Sequence, residues 1–445
     1  MNRTAFAPNS PFSSVPDTHP FTAADAAHLF RRAGFGEPPA MITRAVREGR
    51  NAAIRAVLAD PSPFASAEQV SRHEQVQALV TPLSRGGDLD ALGAWWIRVM
   101  VDSPAPLRER LALVWHDHFA TSAEKVERAD WMIRQRSLFR ELGAGDLRTL
   151  TRAVVRDPAM LRFLDGDTNE KDAPNENLAR ELYELFLLGH GHYTEADIRE
   201  GARALTGLTH RHGKPHFAGR KHDTGEKTVF GKRGTFGADQ LVDLCFERPE
   251  CAEHLASRML VEFVGPALDR SVVEAGGALL REVEFNVLRF LDRLFRSELF
   301  WSDTHRNTKI KGPIEFVVGT VRMLEGLANT RELGRAVRTM GQRLFYPPGV
   351  QGWTEGRAWL NSVRWIARER FATALARTAN REPGYPLDLE AARKDPDAFA
   401  KRLTDRLLGA EVSLAEDVRA ALASKELRPI DRVALVLTLP EYQFA

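Results

Sequence analysis

Apolar residues recur at spacings of three and four along most of the chain, and this periodicity constrains the fold more than any other feature. The stretches "LGAWWIRVMVD" and "APLRERLALVWHDHFATS" show it in the first half, and "EVEFNVLRFLDRLFRSELFW" continues it in the second. Such spacing places apolar side chains on one face of an α-helix. Alternating patterns typical of strands are few. The sequence therefore predicts a mainly α protein, built as a large multi-helix orthogonal bundle.

Two sections interrupt the helical pattern. Residues 209–237 are rich in Gly, Lys, Arg and His and contain "KTVFG", the clearest strand signal in the chain. We expect a small β-hairpin or a long ordered loop there, with "KTVFG" paired to residues near Phe217. Residues 345–362, "FYPPGVQGWTEGRAWLNS", contain prolines and glycines that forbid a continuous helix.

These patterns also divide the chain. Residues 1–21 are rich in Pro and Ser and are predicted to form a flexible N-terminal arm. Residues 22–379 are predicted to form the main helical domain, which includes both interruptions. Residues 380–445 are predicted to form a helical C-terminal part that packs on the main domain.

Composition and charge bear on whether the protein binds nucleic acid, spans a membrane or is secreted. The 62 basic and 60 acidic residues give a net charge of +2, and 43% of the residues are hydrophobic, as in soluble globular proteins. No long basic run indicates a nucleic-acid partner. No apolar stretch approaches the roughly 20 residues that span a bilayer, and residues 1–22 lack the apolar core of a secretory signal. The expectation is a cytoplasmic protein, although an exported protein without its signal would look the same.

The loop that begins at Asp165 resembles a cation-binding loop. Asp165, Asp167 and Asn169 alternate, and Glu176 follows Asp165 by eleven positions, as in an EF-hand calcium loop. However, Glu170 stands where the sharp turn needs glycine, and a proline interrupts the loop. Asp165, Asp167 and Asn169 are therefore candidate ligands of a divalent cation. The alternative is a polar loop in which these residues form turns and helix caps.

The helix after this loop has a charged side that contains Glu176, Asn177, Arg180 and Glu181. If that side is buried, Arg180 must pair with a carboxylate, because an unpaired buried charge costs several kcal/mol. We interpret Glu176 or Glu181 as a general base or metal ligand, and Arg180 and Asn177 as substrate-binding residues. A purely structural charge network is the alternative.

The segment "HDH" supplies His116, Asp117 and His118. Imidazoles and carboxylates are the usual ligands of Zn²⁺, but residues two apart on a helix point in different directions, so the segment could chelate only at a helix end. We take His116 and Asp117 as candidate catalytic residues and His118 as a candidate metal ligand. The alternative is a helix terminus with one histidine buried near Trp115.

Two further segments supply candidates. In "HDTGEKT", His222 and Asp223 form a candidate acid/base pair on a glycine-containing loop, with Lys227 as a substrate-binding residue. In "GWTEGRAW", Trp353 and Trp359 could stack on a sugar or simply cover the core.

Several motifs occur together and in order: "HLFRRAGFG", "NENLARELYELFLLGHGHYTEADIREGARALTG", "HDTGEKTVFG", "IKGPIEFVVG" and "FYPPGVQGWTEGRAWLNS". Together they resemble the bacterial domain of unknown function 1800 family (DUF1800), from about Ala23 to the last residue. The resemblance implies a mostly helical fold and no established activity. It also implies frequent export and a companion protein similar to alkaline phosphatases. Many members carry His where this chain has Phe186, which weakens the metal interpretation.

The polar members of those motifs fit a shared cleft better than a shared core. Besides the candidates above, the motifs contain Asn175, Glu184, Lys311 and Glu315. The first hypothesis is a hydrolase-type acid/base enzyme, with or without assistance from Ca²⁺ or Zn²⁺, acting on a small molecule, a carbohydrate or a cell-envelope polymer. It requires "HDH", the charged helix and "HDTGEKT" to converge. The second is a non-catalytic helical scaffold or export partner, which should expose an apolar patch of more than a few hundred Å².

Overall fold

The computed structural model describes residues 10–16, 18–325, 328–379, 391–409 and 412–445. Helices dominate these residues, and the only β structure among them is a small insertion, so the predicted fold class is confirmed. The helices before the insertion are α1 (Ala23–Ala33), α2 (Pro39–Glu48), α3 (Arg50–Leu58), α4 (Ala67–Ala78), α5 (Val80–Gly86), α6 (Leu89–Asp102), α7 (Pro106–His118), α8 (Ala123–Val126), α9 (Ala129–Leu142), α10 (Leu147–Val154), α11 (Pro158–Phe163), α12 (Asn177–Glu181) and α13 (Glu195–Ala204).

The helices after the insertion complete the fold. They are α14 (Ala238–Phe246), α15 (Pro249–Phe263), α16 (Arg270–Glu282), α17 (Val287–Arg296), α18 (Glu298–Trp301), α19 (Pro313–Met323), α20 (Thr330–Thr339), α21 (Ser362–Ala379), α22 (Ala391–Lys394), α23 (Pro396–Leu407), α24 (Glu416–Ala423) and α25 (Pro429–Thr438). Within the described residues, no helix combines the length and apolar character needed to cross a membrane.

The insertion consists of two separate hairpins. Strands β1 (Leu208–Arg211) and β2 (Lys214–Phe217) are antiparallel, and so are β3 (Lys227–Val229) and β4 (Lys232–Gly234). The predicted pairing of "KTVFG" with residues near Phe217 is therefore wrong. Phe230 and Gly231 both have positive φ, as do His212 and Gly213. A two-residue turn of that kind joins the two strands of each hairpin.

Local sequence explains where key helices begin. Thr22 and Thr194 cap α1 and α13, and in each case the Asp three residues later bonds back to the threonine backbone. After α12, residues Leu182–Leu187 continue as a π-helix. The wider turn leaves carbonyls without their usual partner, and His254 and His118 contact those of Leu185 and Phe186, at 2.9 Å each.

The hydrophobic core is one large cluster. Helix α7 lies inside it, packed on α6 and α9, which explains why Leu111, Ala112 and Trp115 are fully buried. Helix α15 packs on α16, and α21 packs on α25, which joins the C-terminal residues to the rest. Residues 380–390, at the start of the predicted C-terminal part, lie outside the described residues.

The described part of the N-terminal arm is bonded to the body of the protein. The N–H of Val15 donates to the carbonyl of Arg296 at 2.9 Å, and the buried ring of Phe12 lies 6.3 Å from that of Phe290. Residues 1–9 lie outside the described part of the chain.

Candidate active site

A cleft of about 740 Å³, partly open to solvent, lies where α7 and α15 meet two irregular segments, 309–312 and 353–359. Three of the predicted site residues line it: Asp117, Trp353 and Trp359. Its other charged residues come from helices and loops far apart in sequence. These are Arg110, Arg258, Glu262, Lys309, Glu315 and Glu355.

Two carboxylates at the base of the cleft share the same two cations. Glu262 lies 2.6 Å from both Arg110 and Lys309. Glu315 also contacts Arg110, and it lies 3.1 Å from Lys309. Nη2 of Arg110 and Nζ of Lys309 each contact an oxygen of Glu262 and an oxygen of Glu315, so the two cations bridge the two carboxylates.

This cluster is well shielded from solvent. Only 1% of the Arg110 side chain is exposed, and the side chains of Glu262 and Glu315 are each 12% exposed. Glu315 also accepts the backbone N–H of Gly312 at 2.8 Å, which fixes it at the first turn of α19. Burial by itself would raise the pKa of both carboxyls, but Arg110 and Lys309 outweigh it and lower the pKa of each. Both carboxylates are therefore ionised at neutral pH.

A second charged group forms one wall of the cleft. Asp117 contacts Arg258, which also lies 3.0 Å from Glu355. The backbone N–H of Trp353 donates to Asp117 at 2.7 Å. Burial raises the pKa of Asp117, although Arg258 and this N–H oppose the effect. The cleft therefore contains carboxyl groups whose surroundings move their pKa values in opposite directions, which is how acid and base roles are separated in many enzymes.

The loop before Trp353 approaches Asp117 closely. Gly352 has a φ of +78°, and a Cβ atom added there would lie 2.3 Å from Oδ1 of Asp117. Only glycine allows this approach. Trp353 and Trp359 are just 6% and 4% exposed. They shape the wall of the cleft but leave little ring face for stacking on a sugar.

The two histidines of "HDH" point away from the cleft. His116 is buried, and its Nε2 accepts the backbone N–H of Phe345 at 3.2 Å. Burial lowers its pKa to about 3, so the ring is neutral. His118 contacts the carbonyl of Phe186, as described above, and burial lowers its pKa as well. Both histidines thus tie α7 to neighbouring segments.

The loop predicted to bind a cation has protein partners for its oxygens. Asp165 pairs with Lys125 at 2.7 Å, and Asp167 lies 3.6 Å from His210. Asn169 is buried; its amide donates to the carbonyl of Ala202, and its oxygen accepts the N–H of Asn175. Across the described ranges, no group of three or more His, Cys, Asp or Glu side chains is placed to hold a metal ion.

The charged side of α12 forms a surface cluster. Arg180 lies 2.9 Å from Glu195 at the start of α13 and 3.1 Å from Glu176. Asn177 opens α12, and its N–H donates to the side chain of Asn175. Glu181 is half-buried, and burial together with Glu184 raises its pKa. None of these residues lines the cleft.

The loop "HDTGEKT" packs on α13 and does not line the cleft. Asp223 lies 2.7 Å from Arg203, which lowers its pKa. His222 contacts the carbonyl of Thr206 at 2.9 Å. Lys227 is buried and donates to the carbonyl of Gly225 at 3.0 Å. Of the residues that the sequence indicated, the structure therefore brings only Asp117, Trp353, Trp359 and the motif residue Glu315 into the cleft.

Several cleft residues were not singled out from the sequence. Arg110 and Asp117 are seven residues apart on α7, and Arg258 and Glu262 are four apart on α15, so each pair shares a helix face. Asp117 was a candidate already, and its shared face with Arg110, like charged residues one turn apart on α15, is a signal that could have found Arg110, Arg258 and Glu262. Lys309 and Glu355 lie in irregular segments, where no such periodicity exists.

The fold and the cleft define the class of protein. It is mainly α-helical, and it holds a buried charge cluster at the base of a cleft that is open to solvent on one side. The family model described as "Protein of unknown function (DUF1800)" matches residues 28–444, and the chain belongs to that family. No curated protein and no solved structure matches the chain.

Proposed function

We propose that the protein is a hydrolase-type acid/base enzyme whose active site is the cleft around Asp117, Glu262 and Glu315. The observation that carries this proposal is the pair of ionised carboxylates held by two shared cations at the base of an open cleft. A purely structural role would explain this array poorly, because apolar packing of the same volume often contributes at least as much to folding stability as a buried ion pair.

The chemistry of the cleft favours a hydroxyl-rich substrate, such as a carbohydrate or cell-envelope polymer. Carboxylates and guanidinium groups are, respectively, strong acceptors and donors for hydroxyl groups. Glu262 is the candidate base or nucleophile, with Glu315 as its ionised neighbour. Asp117, whose pKa is raised by burial, is the candidate acid. No step of this scheme needs a metal ion, and the surface clusters around Arg180 and Asp223 have no part in it.

The test is release of reducing ends from a panel of bacterial cell-wall and capsular polysaccharides. The wild-type chain is compared with Glu262→Gln and Asp117→Asn, which keep the side-chain shape. Each variant should lose at least about 100-fold in kcat, the contribution of one acid/base group. Glu181→Gln on the surface cluster is the matched control and should keep its rate. Thermal melting of each variant separates lost chemistry from lost folding.

Two results would contradict the proposal. One is a rate that Glu262→Gln and Asp117→Asn leave unchanged. The other is a panel in which the wild-type protein neither cleaves nor binds any polymer.

A helical scaffold or assembly partner is the second candidate function. Val363 and Ile366 are 72% and 50% exposed and lie three residues apart on α21, next to the segment that carries Trp359. Two apolar side chains on one helix face suit contact with a companion protein. That candidate function predicts a stable complex with the companion protein. In a pull-down, Val363→Ser should weaken this complex, and the polysaccharide assay should show no activity.

A further inference from the structure

A second cavity, of about 670 Å³ including the part open to solvent, lies beside the C-terminal segment. Its walls include Leu407, Leu408 and Phe444, together with one lysine, Lys311. This lysine is 5% exposed. The proposed hydrolytic reaction does not use it.

The backbone around Lys311 is fixed by the C-terminal segment. The N–H of Lys311 donates to the carbonyl of Gln443, and the N–H of Ala445 donates to the carbonyl of Lys309, both at 2.8 Å. The carbonyl of Lys311 accepts a hydrogen bond from the guanidinium of Arg368. The side chain therefore projects from a backbone segment that hydrogen bonds to the C-terminal residues and to Arg368 hold in place.

The amino group itself has only neutral partners. Nζ of Lys311 donates to the carbonyl of Tyr442 at 2.7 Å and lies 3.8 Å from the centre of that residue's ring. Within the described residues, no carboxylate lies within ion-pair distance of it. A neutral amine can make the same carbonyl contact with one of its two N–H bonds and keep its lone pair.

Lys227 offers a comparison inside the same chain. It is also buried, at 1% exposure, but its amino group lies 3.9 Å from the carboxylate of Asp223 and contacts two backbone carbonyls. No cavity described above includes it. Lys311 differs in lining a cavity and in having, among the described residues, no carboxylate within ion-pair distance.

The charges around Lys311 favour the neutral amine. Burial lowers its pKa well below the usual range, and the positive charges of Arg31 and Arg368 lower it further. Glu315 opposes them, although its carboxylate is already bound by Arg110 and Lys309. A desolvated lysine beside other cations is the arrangement that activates amine nucleophiles in enzymes.

We propose that Lys311 is an amine nucleophile that forms an imine with a small aldehyde or ketone bound in this cavity. The nitrogen lone pair attacks the carbonyl carbon, and the C=O π electrons move to oxygen, which takes a proton. Loss of that oxygen as water, which carries away both amine hydrogens, leaves the C=N bond. No oxidant, reductant or metal is needed. Glu441 lines the same cavity.

The test uses the full-length protein with propanal, followed by sodium borohydride to trap the imine, and peptide mass spectrometry to locate the adduct. At its ordinary pKa a lysine is unprotonated in only about one molecule in 2,500 at pH 7. We therefore expect Lys311 to label at least about 10-fold faster at pH 7 than Lys125, an exposed lysine that pairs with Asp165. Lys227 should stay unlabelled.

The pH dependence gives a second readout that needs no variant. Labelling of a lysine with the ordinary pKa should rise about 10-fold per pH unit between pH 7 and pH 9, whereas labelling of Lys311, whose pKa burial lowers, should rise less steeply. The variant Lys311→Arg should remove only the Lys311 adduct. Labelling of Lys311 no faster than that of Lys125, or labelling of both with the same pH dependence, would overturn the proposal, whether or not the variant folds.

Discussion

Replacing Arg110 by methionine should destabilise the protein strongly, because it removes one of the two cations that hold Glu262 and Glu315 together. The arginine is 1% exposed and contacts both carboxylates. It also donates to the carbonyls of Arg31 and Gly34. Removing one partner of a buried ion pair costs about 3 to 5 kcal/mol, because the remaining charge stays buried.

That loss can be measured by urea denaturation and by melting. For 445 residues, the usual unfolding entropy per residue makes 3 to 5 kcal/mol equivalent to a fall in Tm on the order of 4 °C. Arg289→Met is the matched control. Arg289 is 64% exposed and lies 3.2 Å from Glu284. An exposed pair of that kind contributes at most about 1 kcal/mol.

The deficit of Arg110→Met should also depend on pH. In the wild-type protein the lowered pKa values of Glu262 and Glu315 give stability above about pH 4.3, which is lost as pH falls through the folded values. Without Arg110, burial and the neighbouring charge should raise the pKa of one carboxyl above its unfolded value. The variant is then penalised most at neutral pH, and its deficit should shrink between pH 7 and pH 5. A deficit below about 1 kcal/mol, or one that does not change with pH, would refute the reasoning.

Three further outcomes are expected. Gly352→Ala should abolish hydrolysis, because the new methyl group would displace Asp117; a rate equal to wild type would contradict the assigned geometry. Glu109→Gln should lower the free energy of unfolding by about 3 to 5 kcal/mol, since this fully buried carboxylate neutralises two guanidinium groups, and urea denaturation measures the loss. Arg180→Ala should change stability by less than about 1 kcal/mol and leave hydrolysis intact, as its pairs lie at the surface.

The candidate site illustrates what sequence reasoning can and cannot find. Polar residues close together in sequence, such as His222 with Asp223 or Glu176 with Arg180, were the obvious candidates. In the structure they satisfy one another or pair with α13. The residues that meet in the cleft are separated by up to about 250 positions, and the cleft exists only because α7 and α15 meet the segment before α19. Local spacing carries no information about that crossing.

The sequence by itself determined the helices, the position of the β insertion, and the family. The helices and the turns depend on interactions between residues within a few positions of one another, and periodicity and turn chemistry indicate these directly. The family is recognised from motifs of consecutive residues. Tertiary structure alone decided which charges are buried together. Arg110 joins Glu262 and Glu315, and Lys311 meets the C-terminal segment, only after the chain has folded. The desolvation that sets the chemistry of these groups does not exist in the unfolded chain.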